Sequence, residues 1–382
     1  MVNSFELKII KFIKNLSKSI KIVLMVHDIF VPSSYPGIHQ KYQEISGFFR
    51  KKGCLVLSVP FKGNLKSIFS LRNNQDLKSA DYIWLRSPGV RLWLFLIIFR
   101  LFHYKKKIVI ELPDPLRTYF VRNTYLDNYL NIVSKIELFF SIFIISILNK
   151  NSITIIEYSN ESKIIHFLFS LNRYGILLGN IVPREAVMSV KYNNVPIEKK
   201  CIKFISLANL EKWHGLDRFI EGLGIYLSKN KLIQIQVFIV GSIRKSILED
   251  LHILINKNKL TNNFNFLGVM QPHEISILME TMDIGIGSLG LHRLCHKIAS
   301  PIKTGVFTGL GLPFIISYND IRFKKNLPFI FNCPNNDEPV DFHKLIEWYL
   351  GLDFKTNQML MHDYFRKNLS TDSLLDPLWN RM

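Results

Sequence analysis

The feature that most constrains this fold is a strand–helix alternation that runs along the chain, breaks once and restarts. Short apolar runs read as strands at 22–26, 54–59, 81–85, 107–112, 152–158 and 174–178. Helical spacing fills most of the intervals, first over 39–52, where Gly53 stops it. The segment 187–200, VMSVKYNNVPIEKK, is polar and contains Pro196, and the pattern loosens there. It then resumes with strands at 201–208, 233–240, 264–267, 283–286, 314–317 and 329–331, and helices at 215–228, 243–257 and 273–281. Residues 340–382 read as mostly helical. Alternating strands and helices pair their strands in parallel through crossover helices. The sequence therefore predicts two Rossmann-like, doubly wound α/β domains in tandem, residues 1–190 and 191–358. Ligands of such sheets bind outside the carboxyl ends of the strands. The loops after Val26, Leu112, Ala208, Val240, Leu267 and Ile286 are thus expected to face one cleft.

Composition bounds the partners. A chain of 382 residues with 48% hydrophobic and 21% charged residues can fill two cores. Its 49 Lys+Arg against 30 Asp+Glu give a formal net charge of +19. That excess points to an acidic partner or to a compositional bias toward Lys, Ile and Asn. No basic–aromatic interleaving marks a nucleic-acid surface and no zinc spacing occurs, so neither nucleic acid nor a metal is expected. Cys54, Cys201, Cys295 and Cys333 are scattered without a CxxC pair, which fits a reducing cytoplasm. Residues 1–19 read as an amphipathic basic helix, with Phe5, Ile9, Phe12, Ile13 and Leu16 at helical spacing. Lys8, Lys11, Lys14, Lys18 and Lys21 interrupt the apolar residues, so no secretory signal is read. The apolar runs 92–99 and 138–148 are shorter than the ~20 residues that span a bilayer. They read as buried helices or as shallow insertions into a membrane surface. Arg91, Arg100, Lys105, Lys106 and Lys107 around the first run suit anionic headgroups.

The segment 282–313, MDIGIGSLGLHRLCHKIASPIKTGVFTGLGLP, carries the clearest chemistry. It runs from a strand through a Gly/Ser turn with Ser288 and a basic stretch with His292, Arg293, His296 and Lys297. The small-residue turn Ala299-Ser300-Pro301 then opens a helix that Gly311 and Pro313 end. A helix start offers free N–H groups and the positive end of a dipole to an anion. Lys303 adds a charge, and Ser300 and Thr304 add hydroxyls, so the segment reads as a diphosphate cradle.

With YPGIHQKYQEI, IVIELPDP, LANLEKWHGLDRFIEGL, FIVGS and FNFLG, this segment resembles the GT-B glycosyltransferases. Within them it is most similar to the retaining family 4 group that includes many bacterial polysaccharide-assembly transferases. The resemblance covers most of the chain and is most specific at WHGLDR and at the cradle. It implies a UDP- or GDP-linked sugar held by the second domain as co-substrate, no cofactor, and an acceptor held by the first. A polyprenyl-diphosphate-linked saccharide and an anionic membrane surface are the expected acceptor and docking surface. The expected location is the cytoplasmic face of the cell membrane, in O-antigen or capsule synthesis. A final helix from about residue 359 to 382 is expected to cross back to the first domain.

In that frame Asp114, Lys212 and His292 are the candidate catalytic residues. Lys212 would reach the diphosphate as a point charge, or be merely solvated. Asp114 would face the sugar, or only shape the turn between Pro113 and Pro115. His292 and Arg293 would meet donor phosphate or sugar, or form a solvated basic loop. Gly241-Ser242 would let backbone approach the ligand, and Gly268-Val269 would bind the base. His214 and Ser288 join the donor group. Gly37, in a loop with Tyr35 and Pro36, would approach the sugar or diphosphate. His27, Asp28 and Arg86 would serve the acceptor. Trp213 reads as packing and Arg218 as a tie on the helix through Asp217 or Glu221.

The sequence departs from the family where it matters. The family places a Glu at each of the positions taken here by Ile298 and Val306, the second of which binds donor ribose. Losing that charge-assisted bond costs roughly 1.5–3 kcal/mol, about tenfold to a hundredfold in affinity. A membrane scaffold that has lost donor binding is therefore the alternative, and a nucleotide-sugar epimerase of the same fold a weaker one.

Overall fold

The computed structural model describes residues 21–27, 36–60, 75–86, 97, 107–112, 153–157, 175–182, 201–229, 233–294 and 296–380. The expected basic helix at 1–19, the runs 92–99 (but for residue 97) and 138–148, and the boundary segment 187–200 fall outside them. No helix among the described residues is long and apolar enough to cross a membrane.

The first sheet holds β1 (Ile22–His27), β2 (Leu55–Pro60), β3 (Tyr82–Arg86), β4 (Lys107–Leu112), β5 (Ile153–Glu157) and β6 (Gly175–Leu177). Helices α1 (Pro36–Lys51) and α2 (Gln75–Ser79) lie between its early strands. The strand order is β2-β1-β3-β4-β5-β6, all parallel. Val23, Met25, Trp84 and Val109 pack against Tyr42, Ile45, Phe48 and Phe49 of α1.

The second sheet is built from β7 (Cys201–Leu207), α3 (Leu216–Lys229), β8 (Gln234–Val240), α4 (Lys245–Lys257), β9 (Phe264–Gly268), α5 (Pro272–Met279) and β10 (Ile284–Ile286). There follow β11 (Ile298–Ala299), α6 (Ile302–Gly309), β12 (Phe314–Ile316), β13 (Asn319–Asp320), β14 (Ile330–Asn332), α7 (Phe342–Leu350) and α8 (Phe354–Tyr364). The order is β14-β12-β10-β7-β8-β9, again parallel. Central strands β10 and β12 are buried throughout, as apolar runs covered on both faces must be. One face packs on α3, α4 and α7, the other on α5, α6 and α8. A small pair, β11 with β13, was not legible in the sequence.

The tail crosses back as expected, but in two pieces. α8 stays on the second sheet, where Met361 and Tyr364 are buried. A π-type turn at Phe365–Leu369 redirects the chain, and α9 (Thr371–Trp379) lies on α1. Leu375 and Leu378 enter the first core, Trp379 meets Phe49 edge-on, and Lys52 pairs with Asp376 at 2.8 Å. The crossing thus begins near residue 371 rather than 359.

Candidate functional site

Chain order reverses at β7: β8 follows on one side, and β10 returns on the other. The crevice of such a sheet opens at that switch point. Two loops flank it, 208–215 after β7 and 287–297 after β10, and they are bonded to each other. Leu289 N donates to His214 O at 2.9 Å and Gly290 N to Trp213 O at 3.2 Å. Arg218, fully buried on α3, donates to the carbonyls of Leu289, Glu338 and Pro334. It ties down the helix start, through carbonyls rather than through Asp217 or Glu221.

Arg293 is committed to the same task. Its guanidinium donates to Asp217 Oδ1 and Oδ2 at 2.9 and 2.7 Å, to Asp337 Oδ1 at 2.8 Å and to Lys212 O at 2.7 Å. A second contact with Asp337, at 2.7 Å, uses the last N–H. Burial opposes the charge, but the two carboxylates outweigh it and raise the pKa. Any contact with donor phosphate would have to compete with these two carboxylates.

Two of the three expected cradle side chains also turn elsewhere. Ser300 Oγ accepts from Asn180 N at 3.2 Å, across to the first sheet's half. Thr304 Oγ1 lies 2.8 Å from Asp320 Oδ2 and accepts from Arg322 Nη2 at 2.6 Å. Thr304 is thus engaged by the buried Arg322–Asp320 pair, and Ser300 by the Asn180 backbone.

Lys303 behaves differently. It is 8% exposed, in the first turn of α6, and its Nζ has no hydrogen-bond partner among the described residues. Burial lowers its pKa to about 7. A buried ammonium without an anion is costly and rare. His214 is near enough to be affected: burial, then the Lys303 charge, hold its pKa well below the usual value. Glu211 N donates to its Nδ1 at 3.0 Å, so the proton sits on Nε2 and the neutral ring is a donor. His292 Nε2 lies 2.9 Å from Asp337 Oδ1, and its Nδ1 is buried and unpartnered. The structure thus leaves Lys303 and His214 as the donors at this crevice, while His292 is turned to Asp337. Lys212 is exposed, and its carbonyl anchors Arg293.

Gly241 and Gly268 close the adjacent strand ends, with Gly241 N donating to Gly268 O at 2.7 Å. Gly241 has φ +128°, and a Cβ there would lie 1.9 Å from Ala208 O, so only glycine lets β8 end against the β7 loop. Ser242 O accepts from Leu210 N at 2.7 Å, and Val269 is 52% exposed beyond β9. Ser288 is buried, its carbonyl bound by Ser317. Val306 is 8% exposed within the apolar cluster of α6, with Phe307 and Phe314. Ile298 is in β11, paired with Asn319.

On the first sheet, Asp28 and Asp114 lie outside the described residues, and only the backbone of His27 is described, at the end of β1. Gly37 sits in the first turn of α1, not in a loop, because the preceding proline fits a helix start. Arg86 ends β3 beside a buried network that sequence reasoning missed. Glu111, fully buried at the end of β4, accepts from Lys41 Nζ at 2.7 Å, Tyr42 OH at 2.8 Å and Trp84 Nε1 at 2.9 Å. Burial raises its pKa, but Lys41 and Arg86 outweigh that and hold it down to about 2. Lys41 is lowered to about 8 by burial, against the pull of Glu111. A lone Glu in the strand IVIEL was a signal for this network; Lys41 gave none. Among the described residues no group of His, Cys, Asp and Glu could hold a metal ion.

No family model and no curated protein matches the sequence. Solved structures do match, over nearly the whole chain. Anabaena HepE in complex with UDP is 13% identical, with 94% of this chain and 99% of that one covered and a TM-score of 0.66. A glycosyltransferase from Rickettsia africae is 16% identical, with 95% and 97% covered and the same TM-score of 0.66. WaaG, a glycosyltransferase involved in lipopolysaccharide biosynthesis, gives 13%, 94%, 98% and 0.55. This chain has the GT-B fold. In that fold the crevice at β7 and β10 lies on the half that follows the boundary segment, where the sequence placed the donor.

Proposed function

We propose that the protein is a glycosyltransferase that holds a nucleotide sugar by its diphosphate at the crevice beside β7 and β10. The observation that carries this reading is Lys303, a buried ammonium at the start of a helix with no hydrogen-bond partner among the described residues. A diphosphate would supply the missing counter-charge, and the helix N-terminus would add to the attraction. The neutral Nε2–H of His214 suits a phosphate or sugar oxygen. In transfer, Lys303 would neutralise the charge that grows on the departing diphosphate, without a metal ion. HepE was crystallised with UDP and with UDP-glucose, which makes a uridine donor the first to test.

The finer reading follows the family resemblance. Transfer would retain stereochemistry, by a family 4 type enzyme acting on a polyprenyl-diphosphate-linked saccharide in surface-polysaccharide synthesis. The formal charge of +19 would favour an anionic membrane face on the cytoplasmic side. Asp114 would serve the sugar, and His27, Asp28 and Arg86 the acceptor. Residues 1–190 with the returning tail would form the acceptor domain, and 191–358 the donor domain.

Val306 favours a second reading. Its buried apolar setting offers the ribose no acceptor, so a scaffold with lost donor binding is the alternative. Calorimetry with UDP, GDP and their sugars separates the two. The first reading expects at least one to bind with a Kd below about 1 mM. Absence of binding across the panel would leave the scaffold.

A further inference from the structure

The two halves meet at a polar junction that no part of the proposed reaction explains. At its centre is Arg322, 8% exposed, just after β13. Its Nε and Nη2 bind Asp320 at 2.9 and 2.7 Å. Nη2 also reaches Pro301 O and Thr304 Oγ1, the first turn of α6. Nη1 crosses to the first half and donates to Asn180 O at 2.9 Å.

Asn180 uses three of its polar groups in the same place. Its N–H donates to Ser300 Oγ at 3.2 Å, just before α6. Its side-chain Oδ1 accepts from Lys41 Nζ at 2.8 Å. Lys41 in turn is paired with Glu111. A continuous chain of bonds therefore runs from the buried pair of the first sheet, through Asn180, to the helix start that carries Lys303.

The packing is as close as the bonding. A Cβ on Gly305 would lie 2.2 Å from Val182 Cγ2 and 3.1 Å from Arg322 Nη1. One on Gly179 would lie 2.2 Å from Arg322 Cγ. Both neighbours are buried and short of room, so a methyl group at either site must push the halves apart.

We infer that Arg322 and Asn180 are positioning residues: they lock the start of α6, and with it Lys303, to the first half of the molecule. Neither belongs to the donors that face the crevice, so they would act on ligand only through α6. This rests on the donor reading for the role of Lys303, but not for the junction itself.

The test pairs three variants with two measurements. Gly305→Ala wedges the junction without removing a polar group, and Arg322→Gln removes the crossing bonds without adding bulk. Amide exchange of the segments 178–182 and 300–308 reports the junction, with β3 and β7 as internal controls. Calorimetry with UDP reports the site. The expected result is faster exchange in both segments, unchanged exchange in β3 and β7, and UDP affinity weakened about tenfold or more in each variant. Arg322→Lys, which keeps charge but not the fork, should behave like Arg322→Gln. Unchanged exchange in the two segments would overturn the junction. Faster exchange with UDP affinity within twofold of the parent would overturn the positioning of Lys303. A parent protein that binds no UDP or GDP would overturn the donor reading and the positioning role together, while exchange still decides the junction.

Discussion

Two buried lysines divide the molecule. Lys41 and Lys303 are 2% and 8% exposed, and both have lowered pKa values, about 8 and about 7. Lys41 Nζ lies against Glu111 and Asn180. Lys303 Nζ has no hydrogen-bond partner among the described residues. The first sheet thus completes its charges internally, whereas the second holds one in reserve at the end of its strands. A protein that only needed stability would satisfy or delete such a group. The contrast separates a charge that builds the fold from one that, on the proposed reading, binds a ligand.

Substitution at the two sites should move stability in opposite directions. Lys41→Met strands the Glu111 carboxylate and is expected to cost about 3–5 kcal/mol in chemical denaturation. Equal stability of that variant would mean that the pair is not the anchor it looks to be. Acid should act on the same network. Glu111 is lowered from its ordinary 4.5 to about 2, so its stabilisation is complete above about pH 4.5 and is lost as pH falls toward 2. The loss is on the order of 3 kcal/mol and should vanish in Glu111→Gln, measured against that variant's own neutral stability. Lys303→Met, by contrast, removes an unpaired buried charge and should raise stability by roughly 2 kcal/mol near neutral pH. A loss of that size would assign Lys303 a structural partner.

Much of this contrast was legible in the sequence, for reasons that differ between residues. The alternation of apolar runs gave two parallel sheets, since period and strand length are local signals. Lys303 stood out because a helix start after a strand is a local pattern too. The partners of Ser300, Thr304 and Arg293 were not legible because they are remote in sequence. Asn180, Arg322 and Asp217 compete for them, and spacing along the chain carries no trace of that competition. Lys41 gave no signal, because the carboxylate that pairs with it is on a strand remote in sequence. Gly305 drew no reading from the sequence, yet its missing Cβ is what lets Val182 reach the helix.

The central claim is that Lys303 awaits a diphosphate. Titration of the protein with UDP by calorimetry between pH 7 and 9 tests it most directly. Protonated Lys303 binds the anion, and the bound anion raises its pKa above about 7. Affinity should therefore fall as pH rises above 7, by up to about tenfold per unit, and Lys303→Met should bind weakly with no such slope. Equal affinity at every pH in both proteins, or no binding by the parent, would contradict the account.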